Sequence, residues 1–235
     1  MARLVLFDID GTLIRTGGAG VKAFAWVFKT FFNASDGFER LKFSGRTDGG
    51  IIREFFAVHH VPPTRENFER FIDAYVFWLD HLLSQNGCEV CPGVRELIRD
   101  FQALESPPVI GLLTGNIRLG AEIKLRHAGL WDLFATGAFA DDSENRDEIA
   151  AVARERGSRL LGERLHPKDV IVIGDTPLDI KCARAIGARA LAVATGGATL
   201  QELHQHTPDW AVTDLRQIEA AALRRINGAP LATAA

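Results

Sequence analysis

Two acidic residues stand directly after the first apolar run of the chain, in Asp8-Ile9-Asp10-Gly11-Thr12-Leu13. Asp8 and Asp10 alternate along the chain, so both carboxylates can point to one side at the end of a strand. Carboxylates this close repel each other unless a cation lies between them. Oxygen ligands suit Mg²⁺, and Gly11 permits the sharp turn that such a site needs. The pair predicts a magnesium site, and the alternative is a plain acidic turn after a strand.

A second acidic pair follows another apolar run far along the chain, in Ile171-Val172-Ile173-Gly174-Asp175. Asp175 ends this run and Asp179 lies four residues later, while Pro177 suits the first turn of a helix. We expect Asp175 and Asp179 to complete a carboxylate cage around the metal. The alternative for Asp175 is the N-cap of the helix that follows, a common role for Asp, and both roles can hold together.

A third signal, Thr114-Gly115-Asn116, follows the apolar run that ends at Leu113. A hydroxyl, a glycine and an amide stand here at the expected start of a helix. Backbone N–H groups and the helix dipole favour an anion at such a place. The turn is a candidate phosphate cradle, and the alternative is a simple capping turn.

Short apolar runs alternate with longer amphipathic segments along most of the chain. Near-continuous apolar runs are typical of strands covered on both faces of a parallel sheet, so the alternation predicts an α/β layered fold. In such sheets, ligands bind beyond the carboxyl ends of the strands, where all three signals stand. The predicted strands are Arg3–Phe7, Val109–Thr114, Val170–Gly174, Ala190–Ala194 and Trp210–Val212, and the predicted helices are Val94–Ala103, Leu119–Ala128, Asp147–Leu161 and Pro177–Ile186.

One segment, residues 15–88, breaks the alternation with helical patterns and no good strand. It holds eleven of the fifteen Phe of the chain, which we interpret as the core of a small helical bundle. Glycines and a proline near its two ends mark the predicted hinges: Gly17, Gly18, Gly20, Gly87, Pro92 and Gly93. We predict a core domain of residues 1–14 and 89–235 and an inserted helical cap domain of residues 15–88.

The composition limits the partners. The chain has 235 residues, 47% of them hydrophobic, and a net charge of −3 without a basic block, so we expect no nucleic-acid partner. No apolar stretch approaches the length of a membrane span, and the first apolar run is too short for a secretory signal. Three cysteines suit a reducing compartment. We expect a cytoplasmic monomer or homodimer that does not bind membranes.

The two acid pairs and the phosphate-binding turn, in this order, resemble the haloacid dehalogenase superfamily of phosphohydrolases. The inserted helical segment resembles its helical-cap branch, which includes phosphoglycolate phosphatase and β-phosphoglucomutase. The resemblance implies a three-layer, Rossmann-like core with a parallel sheet and an inserted α-helical cap. It also implies Mg²⁺-dependent hydrolysis of small phosphate monoesters through an aspartyl phosphate, with a small phosphorylated metabolite as the substrate.

The resemblance assigns roles to the residues of the three signals. Asp8 would be the nucleophile and Asp10 the general acid and base. Asp8, Asp175 and the backbone carbonyl of Asp10 would hold Mg²⁺, with Asp179 in support. The phosphoryl group would bind to Thr114, Gly115 and Asn116.

Arg146 is the candidate for the remaining cation of the family pattern, which is usually a Lys at or near the start of a helix. The matching region, residues 137–148, contains no Lys, and Arg146 is its only cation. Arg stays charged and can grip phosphate with two N–H groups, so we assign it to the phosphoryl group and to damping the repulsion at Asp8. The alternative is a surface Arg paired with neighbouring acids.

The loop Ser44-Gly45-Arg46-Thr47-Asp48 resembles the substrate-facing cap loop of the family. Arg46 is a candidate for binding a substrate carboxylate, as phosphoglycolate would require, and the alternative is a solvated Arg or a structural ion pair. Two other functions stay open: a phosphomutase of the same branch, and a catalytically silent binding or scaffold protein. Asp10 favours phosphoryl transfer over dehalogenation, because displacing a halide needs no proton.

Overall fold

The computed structural model of the chain describes residues 2–34 and 41–224; the outer limits of the predicted core domain, residues 1 and 235, lie outside this range. The strands are β1 (Leu4–Phe7), β2 (Ile14–Arg15), β3 (Glu89–Val90), β4 (Val109–Leu113), β5 (Thr136–Ala138), β6 (Val170–Gly174), β7 (Arg189–Val193) and β8 (Trp210–Val212). Six of them form one parallel sheet in the order β5-β4-β1-β6-β7-β8. The predicted α/β fold with a parallel sheet is confirmed.

The helices are α1 (Ala19–Phe31), α2 (Asp48–Val58), α3 (Arg65–Asn86), α4 (Val94–Gln102), α5 (Arg118–His127), α6 (Arg146–Leu161), α7 (Pro177–Ala185), α8 (Leu200–Gln205) and α9 (Ala220–Arg224). The five predicted strands and four predicted helices are present with ends shifted by at most one residue. Strand β5 was not predicted, because its sequence Thr-Gly-Ala contains no apolar run. Among the described residues, none of these helices has the length and apolar character needed to cross a membrane.

The pleat of β1 divides the core into two apolar layers. Val5 and Phe7 pack into the layer that includes side chains of α4 and α5, whereas Leu4 and Leu6 pack into the layer with α6 and α7. Because successive side chains of a strand point to opposite faces, one four-residue strand anchors both layers. The sheet is therefore covered by helices on both faces, which confirms the predicted three-layer core.

Helices α1, α2 and α3, here called the helical insertion, lie between β2 and β3. These two short strands pair antiparallel, with Ile14 opposite Val90, where the chain leaves and rejoins the core. Many predicted bundle aromatics pack together inside the insertion, among them Phe24, Phe28 and Phe71. The two-domain division with limits at residues 14/15 and 88/89 stays a prediction.

The helical insertion is docked onto the carboxyl ends of the core strands. The Asp48 backbone N–H donates to the Gly115 carbonyl at 2.7 Å, and the Asp48 carboxylate accepts from the Ile117 N–H at 2.8 Å. The Thr47 hydroxyl donates to the Glu144 carbonyl at 3.1 Å. These bonds hold the start of α2 and the residue before it against the turn that follows β4 and the loop that precedes α6.

Candidate active site

The sheet order brings the three chemical signals to one place. Strand β1 lies between β4 and β6, with Phe7 opposite Leu112 on one side and Ile173 on the other. The carboxyl ends of parallel strands meet at one edge of a sheet. The residues that follow these three strands therefore lie close together. For example, the Thr12 hydroxyl donates to the Asp175 carboxylate at 3.0 Å, although the two residues are 163 positions apart in the chain.

Asp8, Asp175 and Asp179 form a buried carboxylate cluster. One oxygen of each lies within 4.8 Å of the others. The Asp10 carboxylate is outside this group and points toward Asn116 and Lys124, so a metal role for Asp10 is limited to its backbone carbonyl. Buried oxygen-only donors are the kind that a hard divalent cation such as Mg²⁺ prefers. The residues present fit the predicted cofactor.

The electrostatics of the cluster also call for a cation. Burial, with repulsion from Asp179, raises the pKa of Asp8 from 3.8 to about 7 and that of Asp175 from 3.8 to about 8. The positive charge of Arg146 opposes this shift at Asp8 without cancelling it. A bound divalent cation favours the ionised carboxylates and would lower both pKa values.

Arg146 begins α6 and is buried at the cluster rather than exposed on the surface. Its guanidinium hydrogen-bonds to Asp179 and lies 3.6 Å from the nearest oxygen of Asp8. Burial alone would lower the pKa of Arg146, but the charges of Asp179 and Asp8 outweigh it and raise that pKa. Asp179 also accepts from the Thr176 N–H and hydroxyl, at 3.0 and 2.6 Å. Thr176 is thus the N-cap of α7, a role that was the alternative for Asp175.

Gly11 permits the close approach between the turn after β1 and Asp175. Its φ is +86°, and a Cβ at this position would lie 2.5 Å from an Asp175 oxygen. Any other residue would therefore be strained and would also clash with a candidate metal ligand. The positive φ and the lack of space for a Cβ explain why a glycine stands at this turn.

Thr114 and Asn116 lie beside the carboxylate cluster and are both buried. The Asn116 amide nitrogen donates to the Thr114 hydroxyl and to an Asp10 carboxylate oxygen, both at 2.8 Å. Both residues line the cavity above Asp8. Both N–H groups of the Asn116 side chain are engaged in these bonds, and phosphate binding by Thr114, Gly115 and Asn116 stays a prediction.

Lys124 also lines the candidate active site and was not predicted from the sequence. It lies on α5, and its ammonium nitrogen is 2.6 Å from Asp10 Oδ2 and 2.6 Å from Asn116 Oδ1. The sequence carried one signal, because Lys124 stands beside Leu125 on the core-facing positions of an amphipathic helix. A lysine at such a position is rarely buried unless it has a partner.

A cavity of about 620 Å³ opens above these residues and is bounded on its far side by the helical insertion. The insertion and the loop before α2 contribute apolar side chains to it, Val21, Phe24, Phe43 and Ile51, together with polar ones that include Ser44 and Asp48. Arg46 lies at the edge of the cavity and forms an ion pair with Glu54 at 2.6 Å. Carboxylate binding by Arg46 stays a prediction and would require Arg46 to exchange this partner.

Gly115 allows the helical insertion to approach the core. A Cβ on Gly115 would overlap the Arg46 carbonyl oxygen, next to the bond between Asp48 and Gly115. We expect Gly115→Ala to cost about 1–3 kcal/mol through overpacking and to lower the Tm by roughly 3–10 °C. Thermal unfolding measures this effect. Gly197→Ala is the matched control, because its Cβ would meet Ser44 at an ordinary 3.8 Å; equal Tm values for the two variants would contradict the prediction.

Comparisons with known proteins agree with this geometry. The sequence profile of the family described as haloacid dehalogenase-like hydrolase matches residues 5–193. The putative pyrophosphatase PpaX of Clostridium perfringens is 26% identical over 217 residues, which cover 90% of this chain and 93% of that protein. Phosphoglycolate phosphatase of Synechococcus elongatus is 27% identical over 140 residues, which cover 58% of this chain and 62% of that protein.

The same fold occurs in the crystal structure of CbbY from Rhodobacter sphaeroides in complex with phosphate. That structure matches with a TM-score of 0.73 at 18% identity, over 92% of this chain and 95% of CbbY. The matches confirm the predicted enzyme class, a hydrolase whose curated relatives are named phosphatases. The chain belongs to the haloacid dehalogenase-like hydrolase family.

Proposed function

We propose that this chain is a Mg²⁺-dependent phosphatase that hydrolyses small phosphate monoesters through a phospho-Asp8 intermediate. The observation that carries the proposal is the position of Asp8. It lines the same cavity as Thr114 and Arg146, one of its oxygens lies within 4.8 Å of oxygens of Asp175 and Asp179, and the Arg146 guanidinium is 3.6 Å away. The phosphatase names of its relatives support the same reaction class.

Asp8, Asp175 and the backbone carbonyl of Asp10 would hold Mg²⁺. Asp179 would support the site indirectly, because its oxygens are already engaged by Arg146 and Thr176. When bound, Mg²⁺ neutralises the clustered carboxylates and the negative charge of the phosphoryl group. Asp8 is then ionised and available as a nucleophile.

In the first step, a carboxylate oxygen of Asp8 attacks phosphorus. A bond forms between that oxygen and phosphorus while the bond to the leaving oxygen breaks, and Asp10 gives its proton to the leaving oxygen. Arg146 and Thr114 hold the transferring oxygens. The Asn116 amide, whose two N–H groups are engaged by Asp10 and Thr114, positions those two side chains, and most of the rate enhancement comes from positioning and electrostatics.

In the second step, water attacks phosphorus of the phospho-Asp8 intermediate and gives a proton to Asp10. The bond between phosphorus and the Asp8 oxygen breaks, inorganic phosphate leaves, and the Asp8 carboxylate and a protonated Asp10 are restored for the next turnover. The Asp10 side chain is 44% exposed, which lets it face the leaving group and then the attacking water from the cavity. The docked helical insertion limits bulk water at the site.

The cavity supports a leaving group larger than the phosphoryl group alone. Its volume of about 620 Å³ lies within the usual range of ligand pockets. We propose that the leaving group packs against Phe24, Phe43 and Ile51 of the insertion wall. Phosphoglycolate is a candidate only if Arg46 is released from Glu54 to bind its carboxylate.

The test is a panel of phosphoglycolate, sugar phosphates and nucleotides, assayed with Mg²⁺ for release of inorganic phosphate. We expect release from at least one class with a kcat/KM above about 10⁴ M⁻¹s⁻¹, the lower end of the usual enzymatic range. Isomerisation of a hexose phosphate without net release would indicate a phosphomutase instead. No turnover together with no Mg²⁺ binding in titration calorimetry would indicate a silent binding protein.

A further inference from the structure

Lys124 is a buried cation that the proposed chemistry has not yet used. Its side chain is only 5% exposed, although it comes from the core helix α5 and carries a charge. Burying an ammonium group is costly unless the group is paired and hydrogen-bonded. Among the described residues, Lys124 meets that requirement through Asp10 and Asn116 of the candidate active site, which indicates a function there.

The bonds of Lys124 orient two active-site side chains at once. An ammonium group can only donate, so Asn116 must turn its carbonyl oxygen toward Lys124 Nζ, 2.6 Å away. The Asn116 amide nitrogen then faces the Asp10 carboxylate and the Thr114 hydroxyl. Asp10 Oδ2 accepts from both Asn116 and Lys124, at 2.8 and 2.6 Å.

The two buried cations of the site serve different acids. Arg146 contacts Asp179 and lies close to Asp8 at the metal cluster. Lys124 contacts Asp10, and its charge opposes the burial that raises the pKa of Asp48 to about 6. Lys124 therefore does not duplicate Arg146, because it contacts a different acid of the same cavity.

We propose that Lys124 is a positioning residue for Asp10. It holds the Asp10 carboxylate toward the leaving-group oxygen and fixes the orientation of the Asn116 amide. Asp10 needs such a restraint because its half-exposed side chain lies just before the turn at residues 11–13 and could otherwise rotate into solvent. A misplacement of about 1 Å can cost roughly 10²-fold in rate. The inference rests on the proposed phosphatase function.

Lys124→Met tests this role, because Met has a similar length and no charge. We expect kcat to fall by about 10²-fold or more while KM changes by less than roughly 3-fold, since Lys124 acts on proton transfer through Asp10. Arg126→Met is the matched control: it removes a cation from an exposed position of the same helix and should leave both parameters unchanged. A loss confined to KM would make Lys124 a substrate-binding residue and overturn the proposal, as would a wild-type kcat in Lys124→Met.

A double-mutant cycle with Asp10→Ala separates positioning from general structural damage. Because Lys124 acts through Asp10, the double variant should be no more than about 2-fold slower than Asp10→Ala alone. A double variant whose loss of kcat equals the product of the two single losses would overturn the proposal. Circular dichroism checks folding, and Lys124→Gln takes the place of Lys124→Met in the same cycle if the Met variant does not fold.

A crystal structure of the Lys124 variant gives a readout that does not depend on activity. We expect the Asp10 carboxylate to rotate away or the Asn116 amide to turn over. An unchanged Asp10 and Asn116 would overturn the positioning role. Failure of the two proposals can be told apart: a wild-type protein that releases no phosphate refutes the phosphatase, whereas an active wild type with an equally active Lys124 variant refutes only the role of Lys124.

Discussion

Asp8→Asn will lower kcat for phosphate release by at least roughly 10⁴-fold, because an amide cannot replace a carboxylate as the attacking nucleophile. Asn has nearly the same shape as Asp, so the buried site should keep its packing. The measurement is phosphate release from the best substrate of the panel with saturating Mg²⁺. The variant must be prepared free of wild-type protein, since a trace of it would dominate so low a rate.

The same substitution should stabilise the metal-free protein at alkaline pH. Burial raises the pKa of Asp8 to about 7, so ionising this carboxyl in the folded protein is unfavourable. A neutral Asn avoids that cost, and we expect a higher Tm than wild type at pH 9 without Mg²⁺. Asp132→Asn, on the exposed surface, is the matched control for both measurements and should change neither. Robust turnover by Asp8→Asn would refute the phospho-aspartate mechanism.

Removal of divalent cations should reduce turnover by at least roughly 10³-fold, because a metal at such a site supplies several kcal/mol of transition-state stabilisation. Added Mg²⁺ should restore the activity fully. The experiment compares chelated protein with the same sample after Mg²⁺ is returned. Full activity in the chelated sample would contradict the proposed cofactor.

Stability without the cation should depend on pH in a defined direction. The pKa of Asp8 rises from 3.8 to about 7 on folding and that of Asp175 from 3.8 to about 8, so the folded state holds these protons more tightly than the unfolded state. Their contribution to stability is complete below pH 3.8 and is lost as pH rises through about 7–8. We expect the Tm of chelated protein to fall between pH 5 and pH 9, and Mg²⁺ to oppose this fall.

Differential scanning calorimetry measures the Tm with and without Mg²⁺ across this pH range. Other titrating groups contribute to both samples equally, so the stabilisation by Mg²⁺ is the relevant quantity, and it should grow as pH rises. Metal binding requires deprotonated ligands, so the affinity for Mg²⁺ should also rise with pH. A stabilisation by Mg²⁺ that is the same at pH 5 and at pH 9 would contradict the assignment of Asp8 and Asp175 as ligands.

Much of the core could be predicted from the sequence because its signals are local. Val170-Ile171-Val172-Ile173 is a continuous apolar run, and strands of this kind are buried on both faces. The acids and the Thr-Gly-Asn turn stand directly after such runs, so their place at the strand ends followed from chain order. Strand β5 escaped prediction because Thr136–Ala138 depends on pairing with β4 rather than on its own residues.

The sequence alone thus determined which residues could act as nucleophile, acid and metal ligands, since their types and their positions after apolar runs are local properties. Only the tertiary structure decided which partners they meet. Lys124 contacts Asp10 across 114 positions, and Arg46 pairs with Glu54 at the edge of the cavity. Such contacts depend on how helices pack against the sheet and against each other, and no spacing along the chain records that geometry.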